Sequence, residues 1–101
     1  MLPVLSETEL HQKVAQGEHL CIDFFNENCG PCKMVELVLA DLSQHIDQVV
    51  FAKVDLIEHP SLIKDLHLES IPQTIIYYGG KETARFPGVP SKEAIVQALE
   101  I

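Results

Sequence analysis

Basic residues are scarce in this sequence: seven Lys and Arg stand against fifteen Asp and Glu, for a formal charge of −8. Residues 1–50 carry eight acidic and two basic groups, residues 51–101 seven and five. Such a chain repels phosphate backbones and anionic lipid, so neither nucleic acid nor a membrane surface is an expected partner. Cysteine is scarce as well. Three cysteines cannot all pair within one chain and are too few for a disulfide framework, so the fold must stand on its apolar core. Long apolar runs are missing: stretches such as Leu37–Ala40 and Ile75–Tyr78 fall far short of the roughly 20 residues that cross a bilayer. The start, MLPVLSETEL, has no basic segment and puts Glu7 and Glu9 where a secretory leader needs an apolar run, which implies a cytoplasmic location. Repeats, low-complexity tracts and Gly/Ser linkers are absent too. What remains is 101 residues, 47% hydrophobic, the size of one globular domain spanning 1–101.

The apolar patterning predicts an α/β chain. Leu2–Leu5 is a short strand-like run, and Ser6 with Glu9 has the spacing of a capping box opening a helix over about 7–16. Leu5 and Leu10 are placed for a hydrophobic staple across that cap, and Gly17 ends the helix. Residues 19–25 (HLCIDFF) and 49–55 (VVFAKVD) are apolar at both parities, as in strands covered on both faces. Between them Lys33 to about Ile46 reads as a helix, which makes a βαβ crossover with parallel strands. Pro60 fits the first position of a shorter helix running to about His67 with Leu62, Ile63 and Leu66 on one side. Thr74–Tyr78, the Gly79-Gly80 turn and Glu82–Phe86 form a hairpin, and Ser91 caps a last helix over about 92–100. The expected fold is a mixed central sheet with helices on both faces, ordered strand-helix-strand-helix-strand-helix-strand-strand-helix.

One motif carries chemistry. Cys29-Gly30-Pro31-Cys32 lies between a buried strand and a helix N-terminus, where a C-x-x-C pair reads as redox-active. Unpaired N–H groups and the positive end of the helix dipole favour a thiolate at Cys29. The dipole alone is too weak: lowering a thiol by about 1.5 units takes about 2 kcal/mol, and an exposed helix terminus supplies about 0.3–1 kcal/mol, so direct hydrogen bonds must add the rest. The two-residue spacing puts Cys32 one turn in, near enough to resolve a mixed disulfide formed on Cys29. Pro31 stiffens the turn without wasting a donor, and Gly30 leaves the approach to Cys29 open. The competing reading is half of a zinc site, but the other candidate ligands are Cys21 and five scattered histidines, 11, 19, 45, 59 and 67, none at i,i+4 spacing, so no metal is expected.

These residues resemble the thioredoxin family over essentially the whole chain. The matching pieces are IDFF before the pair, CGPCK at it, Lys53-Val54-Asp55, Ile71-Pro72, Gly79-Gly80-Lys81 and Gly88. The resemblance implies a thioredoxin fold and a protein-disulfide reductase that binds no cofactor. It also implies a monomer, re-reduced by an NADPH-dependent flavoprotein reductase, that keeps cytosolic thiols in redox balance. It puts a buried Asp at Asp23 and a cis proline facing the cysteines at Pro72. On a strand covered on both faces, Asp23 should have a raised pKa unless paired, and the role assigned to it is general base for Cys32, with Lys53 as its charge partner. The alternatives are that Asp23 satisfies only backbone or Lys53, and that Lys53 merely faces solvent. Gly30, Pro31, Ile71, Pro72, Gly88 and Val89 are the implied substrate-binding residues, the cis bond holding a substrate chain in extended form through neighbouring backbone groups.

Three positions depart from the family pattern. Asn28 replaces a tryptophan, Leu37 a proline whose kink the helix then lacks, and Cys21 is extra. Cys21 reads either as a small core residue or as a regulatory or dimer-forming thiol. Asn28 and the acidic N-terminal half suggest an alternative function as electron donor dedicated to one protein. A non-catalytic binding module is the remaining alternative, against which stand two intact cysteines.

Overall fold

The capping box at Ser6 forms as its spacing predicts. In the computed structural model, which describes residues 2–101, Glu9 N–H donates to Ser6 Oγ at 3.1 Å and Ser6 N–H to Glu9 Oε1 at 2.9 Å. This starts α1 (Glu7–Ala15), and Leu5 and Leu10 on either side of the cap are buried in one cluster. Gly17 ends the turn with φ +74°, and Gly79 N–H donates to its carbonyl at 3.4 Å.

The sheet has four strands in the order β2-β1-β3-β4: β1 (Leu20–Phe25), β2 (Val50–Asp55), β3 (Gln73–Tyr78) and β4 (Lys81–Pro87). β1 pairs parallel with β2 and antiparallel with β3, so the sheet is mixed and β1 is central. Gly79 and Gly80, both at positive φ, close the β3–β4 hairpin.

The expected first strand, Leu2–Leu5, shrinks to one bridge between Val4 and Lys53. Lys53 N–H donates to Pro3 O and Leu5 N–H to Lys53 O, both at 2.9 Å. The ladder stops there because Pro3 lacks the N–H that the next rung towards Phe51 needs, and Ser6 already turns the chain into α1.

α2 (Gly30–Ser43) begins three residues before the expected Lys33, and it runs unbroken through Leu37 to a C-cap at Gln44. α3 (Ser61–Asp65) is shorter than its pattern suggests, with Pro60 as N-cap rather than first helical residue. The Leu62 and Ile63 amides bond three residues back, to His59 and Pro60, so the entry turn is tight and the regular helix starts later. Leu68 rather than Ile63 fills the core there. α4 (Lys92–Leu99) starts at Ser91, whose Oγ accepts from Ala94 N–H at 3.1 Å, and an ion pair between Lys92 and Asp41 ties it to α2.

Two clusters fill the faces. Leu10 of α1 and Leu62 of α3 pack with Ile22, Phe24, Val54 and Ile75 on one side. Val35 and Leu39 of α2 and Ile95 of α4 pack with Cys21, Phe51 and Ile76 on the other. Among the described residues no helix is long and apolar enough to cross a membrane.

Candidate active site

After β1 the chain turns on itself: Asn28 N–H donates to Asn26 Oδ1 at 2.9 Å and Cys29 N–H to Asn26 O at 3.1 Å. That turn delivers Cys29 to the N-cap of α2, with Pro31 in the first turn where its missing N–H costs nothing. Cys29 Sγ accepts from Cys32 N–H at 3.1 Å. The first cysteine therefore occupies the position an Ser or Asp side chain takes at other helix starts, which explains why the helix begins earlier than its apolar pattern suggests. Cys29 and Cys32 form a disulfide with Cα atoms 5.3 Å apart; Cys29 is partly exposed and Cys32 buried. A Cβ at Gly30 would meet nothing within 4 Å, so the approach beside Cys29 is open, and Pro31 and Asn28 are exposed next to it.

Beneath the pair, Asp23 of β1 lies in a row across the sheet, opposite Lys53 of β2 and Thr74 of β3. Its side chain is fully buried, and neither carboxylate oxygen has a hydrogen-bond partner. Burial first, and the nearby Glu36 carboxylate second, push the Asp23 pKa up to about 7, with Lys53 pulling the other way. The expected pairing of Asp23 with Lys53 does not form. Lys53 Nζ instead donates to Glu36 Oε2 at 2.8 Å, and it sits 5.0 Å from the centroid of the Phe25 ring. Neither is Lys53 merely solvent-facing, since it is largely covered.

Asp23, Cys29, Cys32, Glu36 and Lys53 line one cavity of about 340 Å³. Sequence reasoning missed Glu36 and Thr74. Glu36 stands four residues after Cys32, one turn down the same helix face, and that spacing was a readable signal. Thr74 Oγ1, buried opposite Asp23, also lacks a partner, and only the strand register brings the two together.

The Ile71–Pro72 peptide is cis, as the family resemblance implies. Continuing the β1–β3 register puts Pro72 opposite Phe25, at the end of the sheet from which the chain enters α2. The Pro72 carbonyl accepts from Gly88 N–H at 3.0 Å, so that backbone group is committed within the fold, and Gly88 adopts φ +73° to reach it. Ile71 and Val89 are exposed. Cys21 is fully buried, and burial pushes its thiol far above the usual range, which makes it a small apolar core residue. Among the described residues no three His, Cys, Asp or Glu side chains gather as a metal site.

Known proteins share this architecture. The thioredoxin family model matches residues 1–101. A thioredoxin of Chlamydia caviae is 35% identical over 99 residues, covering 98% of this chain and 96% of that one. The bifunctional thioredoxin reductase/thioredoxin of Mycobacterium leprae is 32% identical over 87 residues, 85% of this chain and 19% of that one. The solved thioredoxin of Plasmodium falciparum superposes with a TM-score of 0.85 at 28% identity, covering 98% of this chain and 97% of that one. With a Cys-x-x-Cys pair closed into a disulfide at the start of α2, the chain belongs to the thioredoxin family and is a dithiol–disulfide oxidoreductase.

Proposed function

We propose that residues 1–101 act as one domain that reduces protein disulfides, with Cys29 as nucleophile and Cys32 as resolving thiol. The Cys29 thiolate attacks one sulfur of the substrate disulfide; a Cys29–substrate bond forms, and the second substrate sulfur leaves as thiolate. Cys32 then gives its proton to the Asp23 carboxylate and attacks Cys29 Sγ. The Cys29–Cys32 bond forms, the mixed disulfide breaks, and two electrons have passed to the substrate.

The observation that carries this reading is the Cys32 N–H aimed at Cys29 Sγ at the N-terminus of α2. A hydrogen bond to a charged acceptor contributes about 1.5–3 kcal/mol and the helix end about 0.3–1 kcal/mol, together enough for the ~2 kcal/mol that an activated thiolate requires. The buried, unpartnered Asp23 beside Cys32 supports its role as base, since a pKa near 7 suits proton transfer at neutral pH. Lys53 acts on Asp23 through its charge. A substrate chain lies along the exposed Ile71 and Val89, with exposed Gly30 and Pro31 and half-buried Gly88 completing the surface, while Pro72, itself buried, acts through the backbone groups of its neighbours.

Re-reduction falls to an NADPH-dependent flavoprotein reductase. The Mycobacterium leprae relative, whose name joins both activities, supports such a partner. The chain works as a monomer in the cytoplasm. The test is reduction of an insulin-type disulfide with a chemical reductant as electron source. Cys29→Ser should lose turnover and Cys32→Ser should accumulate mixed disulfides, whose captured proteins identify the substrates; undiminished turnover in Cys29→Ser would sink the mechanism.

A further inference from the structure

We propose that Glu36 is a positioning residue for the proton transfer at Cys32: by holding the Lys53 ammonium it keeps that cation off the Asp23 carboxyl and so sets the pH at which Asp23 becomes a base. The inference rests on Asp23 acting as base for Cys32.

Lys53 has two carboxylates within its range. Asp23 is its register partner on the adjacent strand, about 5 Å away backbone to backbone. Glu36 projects from α2 into the same cavity, one helical turn below Cys32. The lysine bonds only to Glu36, at 2.8 Å, and both Asp23 oxygens stay unpartnered. The choice has a physical reason. Glu36 and Lys53 each keep a fraction of their side chains in water, 13% and 18%, whereas Asp23 keeps none. Pairing Lys53 with Asp23 would draw the ammonium into the dry end of the cavity, where the desolvation penalty exceeds what a partly hydrated pair incurs.

Several groups share this surrounding. β2 contributes Lys53 and Asp55, whose Oδ1 is occupied by Ile57 N–H at 2.8 Å. α2 contributes Cys29, Cys32, Lys33 and Glu36, the preceding turn Glu27, and β3 Thr74. Of these, Glu36 raises and Lys53 lowers the Asp23 proton affinity, so the ion pair between them decides how far the two effects separate. Removing the Glu36 charge both deletes the like charge and releases the lysine towards Asp23, and the two changes act in the same direction.

The experiment follows the Asp23 side-chain carboxyl carbon by NMR across pH in the reduced protein, alongside the pH profile for release of substrate from the Cys29 mixed disulfide. Glu36→Gln should lower the Asp23 midpoint by about one unit or more, and the acid limb of the release profile should move down with it. In a Lys53→Met background the same substitution should shift the midpoint less far, because only the like charge is then removed. Glu36→Ala, which adds helix propensity, repeats the measurement if the Gln variant folds poorly. An unchanged or raised midpoint in Glu36→Gln overturns the proposal, as does an undiminished shift in the Lys53→Met background. Asp23→Asn separates the two readings. If that variant keeps the wild-type acid limb, Asp23 is not the base and the parent reading fails; if it loses the limb while Glu36→Gln leaves the Asp23 midpoint in place, only the role of Glu36 fails.

Discussion

The two faces of β1 do opposite work. Towards α1 and α3, Leu20, Ile22 and Phe24 continue an apolar layer along the whole strand. Towards α2 and α4 the layer begins the same way with Cys21, flanked by Phe51 and Ile76, and then changes character. The next row is Lys53, Asp23 and Thr74, three polar side chains, whereas the Ile22 row on the other face is Ala52, Ile22 and Ile75. The first face stabilises the fold. The second gives up stability at one end, where the Asp23 carboxyl is buried without a hydrogen-bond partner. A buried carboxyl without a partner is tolerated because Leu20, Ile22 and Phe24 on the other side of the same strand are fully buried.

Four substitutions break or sharpen this contrast. Phe24→Ala on the apolar face should have the largest effect, a loss of about 3–5 kcal/mol in denaturant unfolding, because the ring is fully buried and its removal leaves a cavity. Asp23→Asn on the polar face should act with the opposite sign. An unfolded Asp titrates near 3.9 and Asp23 near 7, so the native state binds more protons between those values and stability falls as pH rises through that window. The Asn variant should therefore be more stable than wild type by on the order of 4 kcal/mol above pH 7, with the gap closing below about pH 4, as urea unfolding of the oxidised protein across pH will read. If the gap does not close on acidification, ionisation of Asp23 is not the cause.

Ser6→Ala tests the apolar side from its edge and should lose about 1 kcal/mol, since it strips the N-cap that sets Leu5 and Leu10 into the core. Thr74→Val should give the smallest change, from neutral to a gain of about 1 kcal/mol, because it replaces an unpartnered buried hydroxyl with a methyl of similar shape. A clear loss there would show that Thr74 holds Asp23 by a hydrogen bond, and the polar row would then be a bonded network.

Much of this was legible from residues in a row. The capping box at Ser6, the Gly79-Gly80 turn and the C-x-x-C pair are written in near neighbours, so their geometry follows from local rules. The cis bond before Pro72 was legible only through family likeness, because a proline at a strand start is equally well served by a trans bond. Element ends were less readable. The α2 start moved to Gly30 because a cysteine served as N-cap, and α3 shortened because a tight turn preceded it. The Leu2–Leu5 strand failed on a single missing amide at Pro3.

The pairing of charges was not legible, and the reason is geometric. Asp23 and Lys53 lie on neighbouring strands, which made them natural partners on paper. Whether a helix lays a third charge over that row depends on how α2 sits over β2, which is set by the packing of Val35, Leu39 and Leu42 against the sheet.

The sequence by itself determined the redox pair, the order of helices and strands after the Leu2–Leu5 run and the burial of Asp23, since each depends on spacing and parity within one segment. Only the tertiary structure decided that Glu36 takes Lys53 and that Thr74 stands against Asp23. Those contacts join segments far apart in the chain, and their free energies turn on angstrom-scale differences in reach and hydration that local pattern does not encode.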